Sequence, residues 1–339
     1  MMSMQGLPSL ADFRSAMIVK PSSLGDIVHT LPAVWAIKQA FPDLKLRWLA
    51  NTEWTPLLHG APLLEEVISF PRKQCRGLGG PLVMRRWAKG WRRLPREEPE
   101  IVLDFQGLLR SGYLSRSRGS RPVIGLSDSR EGARWFHDHI VPVDAGAHAV
   151  DRYLAIPRAF GISVNPEHLV FPLAQGHKPE GWPERDDLII VHPWSRGEGK
   201  SLSPQMLEVL CAALAPLPVI LVGMPNGAPI PQGPNVTDFS GRTSLAELVW
   251  VLRQARFVAS VDSGPMHIAA AVNDHTLGIH TWSDPRKVGP YNPRAWVWKA
   301  GRIAPRTGFQ PQECVSEQVP EAADMQQMAA FIRNFGEKH

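Results

Sequence analysis

A carboxylate follows a turn of small residues close to the start of the chain. Residues 20–32 are Lys-Pro-Ser-Ser-Leu-Gly-Asp-Ile-Val-His-Thr-Leu-Pro. The pattern predicts a turn through Ser22, Ser23 and Gly25 and a helix that begins near Asp26, where free backbone N–H groups favour an anion. Asp26 then has two interpretations, a plain N-terminal cap or a functional carboxylate at the mouth of a ligand cleft. We favour the functional interpretation because the segment directly follows a predicted strand.

A second segment, residues 192–201, is His-Pro-Trp-Ser-Arg-Gly-Glu-Gly-Lys-Ser and also follows a predicted strand. Ser195, Arg196 and Lys200 in a flexible loop before a helix can hold a diphosphate by charge and hydrogen bonds. Ser, Gly and Lys are common in any exposed loop, so this segment alone indicates a phosphate site only weakly.

A third segment, residues 258–271, is Val-Ala-Ser-Val-Asp-Ser-Gly-Pro-Met-His-Ile-Ala-Ala-Ala. A buried strand is predicted to end at Asp262, and Ser263 and Gly264 open a helix whose first turn carries His267. Helix N-terminal amides beside a Ser and a Gly form a compact phosphate site. The alternative is a capped helix with a hydrogen-bonded histidine. We favour the phosphate site because the same type of loop recurs at the matching place in the first half.

The elements that position these segments alternate between strand and helix. Short apolar runs predict strands at 16–20, 46–50, 66–70, 101–105 and 122–125, and again at 188–192, 218–222, 257–261 and 276–280. The intervening segments predict helices at 26–40, 108–116, 204–214, 244–254 and 264–272, with a last helix at 321–334. This alternation is typical of parallel sheets covered by helices, the α/β class.

A Pro- and Gly-rich stretch divides the alternation into two halves. The prediction is an N-terminal extension at 1–15, a domain at 16–172, a linker at 173–186, a second domain at 187–318 and a C-terminal helix at 319–339. Two doubly wound halves of this kind place a ligand cleft between them, at the carboxyl ends of their strands.

The composition narrows the class of protein. The 339 residues carry a formal charge of +5, which suggests an anionic partner. No apolar run approaches the ~20 residues that span a bilayer, and the N-terminal stretch lacks a secretory signal. Cys75, Cys211 and Cys314 form no disulfide framework, which fits a reducing cytoplasm. No recognised RNA or DNA module is present, so nucleic acid is not an expected partner.

Much of the positive charge lies in one segment, Arg72–Arg96, which contains no acidic residue. Trp87, Trp91 and Leu94 recur there at i, i+4 and i+7, so a helix would separate a basic face from an apolar one. Such a helix suits the surface of an anionic membrane. The alternative is a helix that packs its tryptophans on the core and solvates its charges, and charge patterning alone leaves both open.

Four segments occur in a recognisable order: SSLGDIVHTLP, DFQGLLRS at 104–111, HPWSRGEGK and VDSGPMHIAAA. In these the chain resembles the bacterial ADP-heptose:lipopolysaccharide heptosyltransferases of glycosyltransferase family 9, over about residues 16–335. The resemblance implies a GT-B fold, in which two Rossmann-like domains face a cleft and bind the acceptor and the nucleotide sugar, respectively. It also implies inverting transfer of a heptose from ADP-heptose to an anionic glycolipid acceptor of the lipopolysaccharide inner core, in the cytoplasm or on the inner face of the cytoplasmic membrane.

The resemblance also assigns roles residue by residue. Asp26 matches the catalytic base of the family. The implied donor-binding residues are Ser195, Lys200, Thr243, Asp262, Ser263, Gly264 and His267. The implied acceptor-binding residues are Ser22, Ser23, Leu24, Gly25, Asp104, Gln106 and Arg110.

The implied chemistry needs no metal and no other cofactor. A base takes the proton of the acceptor hydroxyl while a diphosphate leaves. Many glycosyltransferases stabilise this leaving group with a metal held by a D-x-D motif, but no D-x-D occurs in this chain. Lys200 and the amides around Ser263 and Gly264 are the expected substitutes. His137 and His139 lack further metal ligands in the sequence, which predicts that they lie at the surface.

Two loops depart from the family pattern. Gly223–Pro234 lacks the acidic residue that several heptosyltransferases place near the adenosine, and Trp194–Gly199 differs in length and composition. These departures leave the nucleotide base and the sugar open, so a glycosyltransferase that uses another nucleotide sugar in surface polysaccharide synthesis is the main alternative. A GT-B-like nucleotide-sugar epimerase is a more distant one. It needs no large anionic acceptor, so it leaves the basic segment unexplained.

Overall fold

The structure, a computed structural model, describes residues 6–77, 79–225 and 227–335. Within these residues the chain forms two compact units, one ending at Ala174 and the other beginning at Gln175. This boundary falls inside the predicted linker, while the finer domain limits stay predictions. The outermost parts of the predicted N-terminal extension and C-terminal helix, residues 1–5 and 336–339, lie outside the described residues.

In the described part of the chain, the first unit contains a parallel sheet of strand order β3-β2-β1-β4-β5-β6. Its strands are β1 Ser15–Val19, β2 Lys45–Asn51, β3 Glu66–Phe70, β4 Glu100–Asp104, β5 Val123–Leu126 and β6 His139–Val141. Its helices are α1 Leu24–Ala40, α2 Thr55–Leu58, α3 Gly80–Arg93, α4 Leu109–Ser117, α5 Ala149–Tyr153 and α6 Ala155–Ala159. This doubly wound order reverses between β1 and β4, where ligands bind in such sheets.

Burial of this sheet determines which residues meet at its edge. All the residues of β1 and of β4 are buried, as expected for a parallel sheet covered by helices on both faces. Val19 pairs in register with Asp104. The turn after β1, which leads to Asp26, therefore lies beside the turn after β4.

In the second unit the sheet has the order β13-β12-β11-β10-β7-β8-β9, with β13 antiparallel to β12 and the other pairs parallel. Its strands are β7 Ile189–His192, β8 Val219–Leu221, β9 Val236–Asp238, β10 Phe257–Val261, β11 Thr276–Ile279, β12 Trp296–Lys299 and β13 Arg302–Ala304. Its helices are α7 Pro204–Leu214, α8 Leu245–Gln254, α9 Gly264–Val272, α10 Pro285–Val288, α11 Pro311–Cys314 and α12 Ala322–Phe335. Here the order reverses between β10 and β7.

The predicted strands and long helices agree with these bounds within two residues. Four strands, β6, β9, β12 and β13, escape the sequence prediction. Three of them are only three residues long and each contains a polar residue, so no apolar run distinguishes them from a loop. The equally short β8 is entirely apolar and is predicted. The fourth, β12, has the four-residue sequence WVWK and follows a stretch rich in Pro and Gly.

The basic segment forms helix α3, and the aromatic face of this helix packs on the core. Trp91 is buried, donates a hydrogen bond from Nε1 to the Leu114 carbonyl, and stacks on Trp87 with ring centroids 5.4 Å apart. The sequence leaves open whether these tryptophans face a membrane or the core, and in the structure they pack on the core. The exposed cations of α3 are Arg85, Arg86, Lys89, Arg92 and Arg93. No helix in the described part of the chain is long and apolar enough to cross a membrane.

A buried ion pair holds the start of β4, and it makes a testable contribution to stability. Arg118 Nε donates to Glu100 Oε1 over 2.8 Å, and both side chains are fully buried. Glu100→Gln leaves the guanidinium without its counter-charge, which costs about 3–5 kcal/mol for a buried pair. We expect a loss of this size in the free energy of unfolding, measured by urea titration.

The control for this prediction is Glu97→Gln in the same unit. Glu97 pairs with Lys45, and both side chains are 41% exposed. Loss of an exposed, solvent-screened pair should cost far less than loss of the buried pair. Equal losses in the two variants would contradict the proposed importance of burial.

Candidate active site

Asp26 lies in the first turn of α1 and accepts three hydrogen bonds. Its Oδ2 accepts from the Ser23 backbone N–H (3.0 Å) and hydroxyl (2.6 Å), and its Oδ1 accepts from the Tyr153 hydroxyl (3.2 Å). The carboxylate stays partly exposed. Burial raises the pKa of Asp26, but the charge of Lys20 and these hydrogen bonds outweigh it and hold the pKa below its ordinary value. Asp26 is therefore ionised at neutral pH.

Lys20 supplies the charge that keeps Asp26 ionised. It directly follows β1, is buried, and donates from Nζ to the Tyr153 hydroxyl (2.7 Å) and the Phe105 carbonyl (3.1 Å). Because the ammonium donates to the phenol oxygen, the phenol proton is free to point at Asp26. Burial raises the pKa of Tyr153 well above its ordinary value, so the phenol stays a donor. A continuous hydrogen-bonded chain thus joins Lys20, Tyr153 and Asp26.

A polar cavity of about 130 Å³ opens beside Asp26 in the first unit. It is lined by Lys20, Asp26, Phe105, Gln106, Gly107, Leu126, Asp128, Ser129, Arg130, Arg152 and Tyr153. Three cations and two carboxylates share this lining, and one of the cations, Arg152, pairs with Asp128. Such a cavity suits a ligand that carries hydroxyl groups and a negative charge.

Asp104 organises the turn after β4 that lines this cavity. Its carboxylate accepts hydrogen bonds from the N–H groups of Gln106 (3.0 Å) and Gly107 (3.1 Å) and from the Ser111 hydroxyl (3.0 Å). Asp104 is fully buried, so these internal partners satisfy it. Gln106 in turn accepts a hydrogen bond at Oε1 from the Ser22 N–H over 3.1 Å. Asp104 therefore holds Gln106 in place next to the turn that leads to Asp26.

Two residues from the β5–β6 region close on this turn. Gly107 has a φ of +64°, and a Cβ at this position would lie 2.6 Å from Ser129 Oγ, so only glycine fits. His137 corrects the sequence prediction, which placed it at the surface. Its side chain is buried, and Nε2 lies 3.1 Å from Asp104 Oδ2. A buried carboxylate needs hydrogen-bond partners, and His137 is one of them.

The structure brings only part of the predicted acceptor side next to Asp26. The residues in its immediate surroundings are Ser22, Ser23, Leu24, Gly25 and Gln106. Gly25 is buried and offers only backbone. Arg110 lines a neighbouring cavity, which Ser22 and Gln106 also line. The sequence prediction missed Arg130, Arg152 and Tyr153, which lie far along the chain in segments without a motif. Lys20 carried a signal, because it is a cation at the end of a predicted apolar strand.

In the second unit, Asp262 directly follows β10 and interacts with several neighbouring cationic and polar side chains. Its Oδ2 accepts hydrogen bonds from Lys200 Nζ (2.5 Å) and the Ser283 hydroxyl (2.6 Å). Burial raises the pKa of Asp262, but the positive charges of His280, Lys200 and His267 outweigh it and lower the pKa to about 2. Asp262 and Lys200 are therefore an ion pair at neutral pH, with a Lys200 side chain that is 17% exposed.

The predicted loop residue Ser195 lies beside this ion pair. Its hydroxyl donates to the Asp262 carbonyl over 3.4 Å and accepts from the Gly197 N–H over 3.2 Å. The loop that carries Lys200 is thereby fixed to the end of β10. A cation on a fixed loop is already in position for an anionic ligand.

The predicted helix start is also present. Ser263 is the N-cap of α9, Gly264 is its first residue, and His267 is a mostly buried residue of the first turn. The Ser263 oxygen lies 3.3 Å from His192 Nδ1. The first N–H groups of a helix have no partners within it, so an anion can accept hydrogen bonds from them beside Lys200.

Thr243 lies at another point of the same sheet edge. It precedes Ser244, the N-cap of α8, in the loop after β9. Strands β8 and β7 separate β9 from β10. The structure therefore does not place Thr243 in the group around Asp262.

The sequence prediction missed Trp282 and Ser283, although both follow the end of a predicted strand.

Comparison with known proteins decides the family. The profile of Glycosyltransferase family 9 (heptosyltransferase) matches residues 87–179 and 228–315, more than half of the chain. The chain belongs to glycosyltransferase family 9. It is thus a glycosyltransferase. The matched segments include the turn after β4 and the Asp262 region but begin after Asp26, so the role of Asp26 stays a prediction.

Individual relatives agree with this family. The chain is 28% identical over 298 residues to lipopolysaccharide heptosyltransferase 1 of Pseudomonas aeruginosa, with 81% of each chain covered. It is 26% identical over 313 residues to lipopolysaccharide heptosyltransferase 1 of Escherichia coli, covering 84% of this chain and 93% of the relative. The structure of E. coli heptosyltransferase WaaC with ADP matches with a TM-score of 0.74 at 22% identity, over 94% and 99% of the two chains. This match confirms the predicted α/β, GT-B fold class.

A resident metal site would need several converging ligands. Among residues 6–77, 79–225 and 227–335, no group of three or more His, Cys, Asp or Glu side chains is arranged to hold a metal ion. His137 contacts one carboxylate, that of Asp104, which is too few ligands for a metal ion.

The histidine at the end of β7 makes stability depend on pH. Burial lowers the pKa of His192 to about 4, whereas an unfolded histidine titrates near pH ~6.5. Below that pH the unfolded chain binds a proton that folded His192 does not, so stability is lost as the pH falls from about 6.5 towards 4. Between pH 7 and pH 5 we expect the wild type to lose up to about 2 kcal/mol more than His192→Gln.

Urea titration at each pH measures this difference. His59→Gln is the control because His59 is exposed. The stability of this variant should change with pH in the same way as that of the wild type. The same pH dependence in His192→Gln and wild type would show that His192 does not cause it.

Proposed function

We propose that this chain transfers a heptose from ADP-heptose to an acidic acceptor of the lipopolysaccharide inner core, with inversion at the anomeric carbon. Its relatives are named lipopolysaccharide heptosyltransferases. The fold relative WaaC has been solved with ADP and with ADP-2-deoxy-2-fluoro heptose. The observation that carries the proposal is the ionised, partly exposed Asp26 carboxylate beside a polar cavity rich in cations.

Asp26 acts as the general base. An acceptor hydroxyl is a weak nucleophile until a base takes its proton in the transition state. Asp26 Oδ1 accepts a hydrogen bond from Tyr153 and keeps a second lone pair for the acceptor hydroxyl. A low pKa is sufficient here, because the departing diphosphate leaves an oxocarbenium-like centre that makes the attacking hydroxyl strongly acidic. Lys20 and Tyr153 fix the orientation of the carboxylate.

Lys200 and the first amides of α9 stabilise the departing diphosphate. Negative charge builds on the leaving phosphate oxygens, and donors that are already in position stabilise it without reorganisation. Lys200 Nζ pairs with Asp262, and a diphosphate offers it further acceptors at the same place. We therefore propose that transfer needs no divalent metal. Activity that is lost in EDTA and returns with Mg²⁺ would contradict this part of the proposal.

The acceptor binds in the cavity of the first unit. Lys20, Arg130 and Arg152 give that cavity positive charge, which matches a sugar that carries a carboxylate or phosphate. Gln106 and the Ser22 region offer polar partners for its hydroxyl groups.

The central test compares wild type with Asp26→Asn in transfer from ADP-heptose to a Kdo-bearing lipid acceptor in EDTA. The variant keeps the shape of the side chain and loses the base, so we expect kcat to fall about 10²–10⁴-fold. Asp43→Asn, which alters an exposed carboxylate in the same unit, should keep the wild-type rate. Full activity in Asp26→Asn would reduce Asp26 to a helix cap. Transfer from another nucleotide sugar alone would retain the mechanism and replace the donor.

We further propose that the protein works in the cytoplasm at the inner face of the membrane, with α3 as its contact. The exposed surface of α3 combines the cations Arg85, Arg86, Lys89, Arg92 and Arg93 with Leu82 and Val83 in its first turn. Each Lys or Arg near an anionic surface contributes about 1 kcal/mol. Exposed apolar side chains beside them can enter the headgroup region. This contact would bring the protein to a lipid-linked acceptor.

Sedimentation with vesicles that contain phosphatidylglycerol tests this contact. We expect binding at low salt, a loss of binding at high salt, and more than about tenfold weaker binding by Arg85→Glu/Lys89→Glu. The control reverses two exposed cations elsewhere in the unit, Arg14→Glu/Arg158→Glu. Wild-type protein that ignores the vesicles, or equal losses in the two double variants, would exclude α3 as the contact.

A further inference from the structure

The loop after β11 presents a large aromatic side chain beside the candidate donor site. Trp282 is 47% exposed, whereas its neighbours Thr281 and Ser283 are 4% and 7% exposed. Single exposed apolar residues are common on protein surfaces, so exposure alone indicates no function. What distinguishes Trp282 is how firmly its backbone and ring are held and where they lie.

Buried polar groups fix the backbone on both sides of Trp282. The Thr281 carbonyl accepts a hydrogen bond from Nζ of the buried Lys299 over 2.6 Å. On the other side, the Ser283 hydroxyl donates to Asp262 over 2.6 Å. The position of the exposed residue between them is thus set by the interior of the unit.

The indole ring itself is held by the loop that carries Lys200. Trp282 Nε1 donates to the Glu198 carbonyl over 3.3 Å, and Lys200 Nζ lies 4.3 Å from the ring centroid. Lys200 therefore contacts both Trp282 and Asp262. An aromatic ring that is already fixed loses little conformational freedom when a ligand covers it.

The strand order places Trp282 on one particular side of the diphosphate. Along the sheet edge the order is β11, β10, β7, β8 and β9, so the loops with Trp282, Asp262, Lys200 and Thr243 follow one another, about 4.8 Å per strand. The proposed function places the diphosphate at Lys200. The family resemblance implies that Thr243, on the other side of Lys200 along this edge, also binds the donor, so we place the nucleoside towards Thr243. An extended nucleotide sugar then directs its sugar towards β11 and Trp282.

We infer that Trp282 binds the transferred sugar of the donor by stacking its indole on an apolar C–H face of the sugar ring. This inference rests on the donor site of the proposed function and names the residue that recognises the sugar. Ser283 follows Trp282 in the chain and donates to Asp262, so the side-chain oxygens of these two residues offer hydrogen-bond partners to hydroxyl groups at the ring edge. Aromatic contact supplies area and hydrogen bonds supply orientation, a combination that suits a ring with both apolar and polar surface.

Calorimetric titration of ADP and of ADP-heptose tests the inference. In Trp282→Ala we expect ADP-heptose to bind about tenfold more weakly, because a stacking contact is lost, while the affinity for ADP changes less than about twofold. Trp282→Phe keeps an aromatic face and should lose less than about threefold for ADP-heptose. The control, Trp135→Ala, removes an 85%-exposed tryptophan of the first unit and should leave both affinities unchanged.

Equal weakening of ADP and ADP-heptose in Trp282→Ala would overturn the inference, because the indole would then serve Lys200 or the nucleotide. Unchanged affinity for both ligands would overturn it as well. Failure of the proposed function looks different, since it appears in the wild type. Wild-type protein that binds ADP but not ADP-heptose would refute the proposed donor before any variant is made, and the inference with it.

Discussion

A charge that leaves water needs a partner, and this requirement shapes both units. In the first unit, Lys20 is buried at the end of β1 and reaches Asp26 through the Tyr153 hydroxyl. In the second, Asp262 is buried at the end of β10 and takes Lys200 and Ser283 as partners. In each unit the end of a strand brings the charge, and a segment distant in the chain brings its partner, the helix α5 in the first unit and the Lys200 loop in the second. Folding of each unit therefore assembles the site.

Helix capping and catalysis are compatible roles for Asp26. The same hydrogen bonds from Ser23 that begin α1 also keep the carboxylate ionised and fix its direction. A flexible carboxylate would have to be ordered when a substrate binds, at a cost in conformational entropy. The Asp26 carboxylate is already ordered in the folded protein, so substrate binding does not have to order it. The two interpretations that the sequence allows for this residue therefore describe one arrangement.

The features that could be predicted from the sequence are those in which a short segment contains the whole signal. Asp26 and Asp262 each follow an apolar strand and open a helix, so local order in the chain is enough to find them. Tyr153 and Ser283 reach these carboxylates only through tertiary packing, and no local pattern marks them. Likewise, the spacing of Trp87 and Trp91 predicts one face of α3, while the fold determines that the core covers it.

The residues that line the first-unit cavity differ in how far they can be substituted, and Gly107 in the turn after β4 is among the least replaceable. Gly107 has no space for a side chain because Ser129 lies against it, and Asp104 holds the neighbouring N–H groups. Substitution there disturbs the turn before it alters the cavity. Arg130 and Arg152 line the same cavity. Arg130 supports that turn through its backbone, whose N–H donates to the Gly107 carbonyl over 2.8 Å, so the two guanidinium groups can change without loss of this bond. A change in acceptor preference over evolutionary time would therefore arise by substitution of these arginine side chains, while the sequence of the turn stays the same.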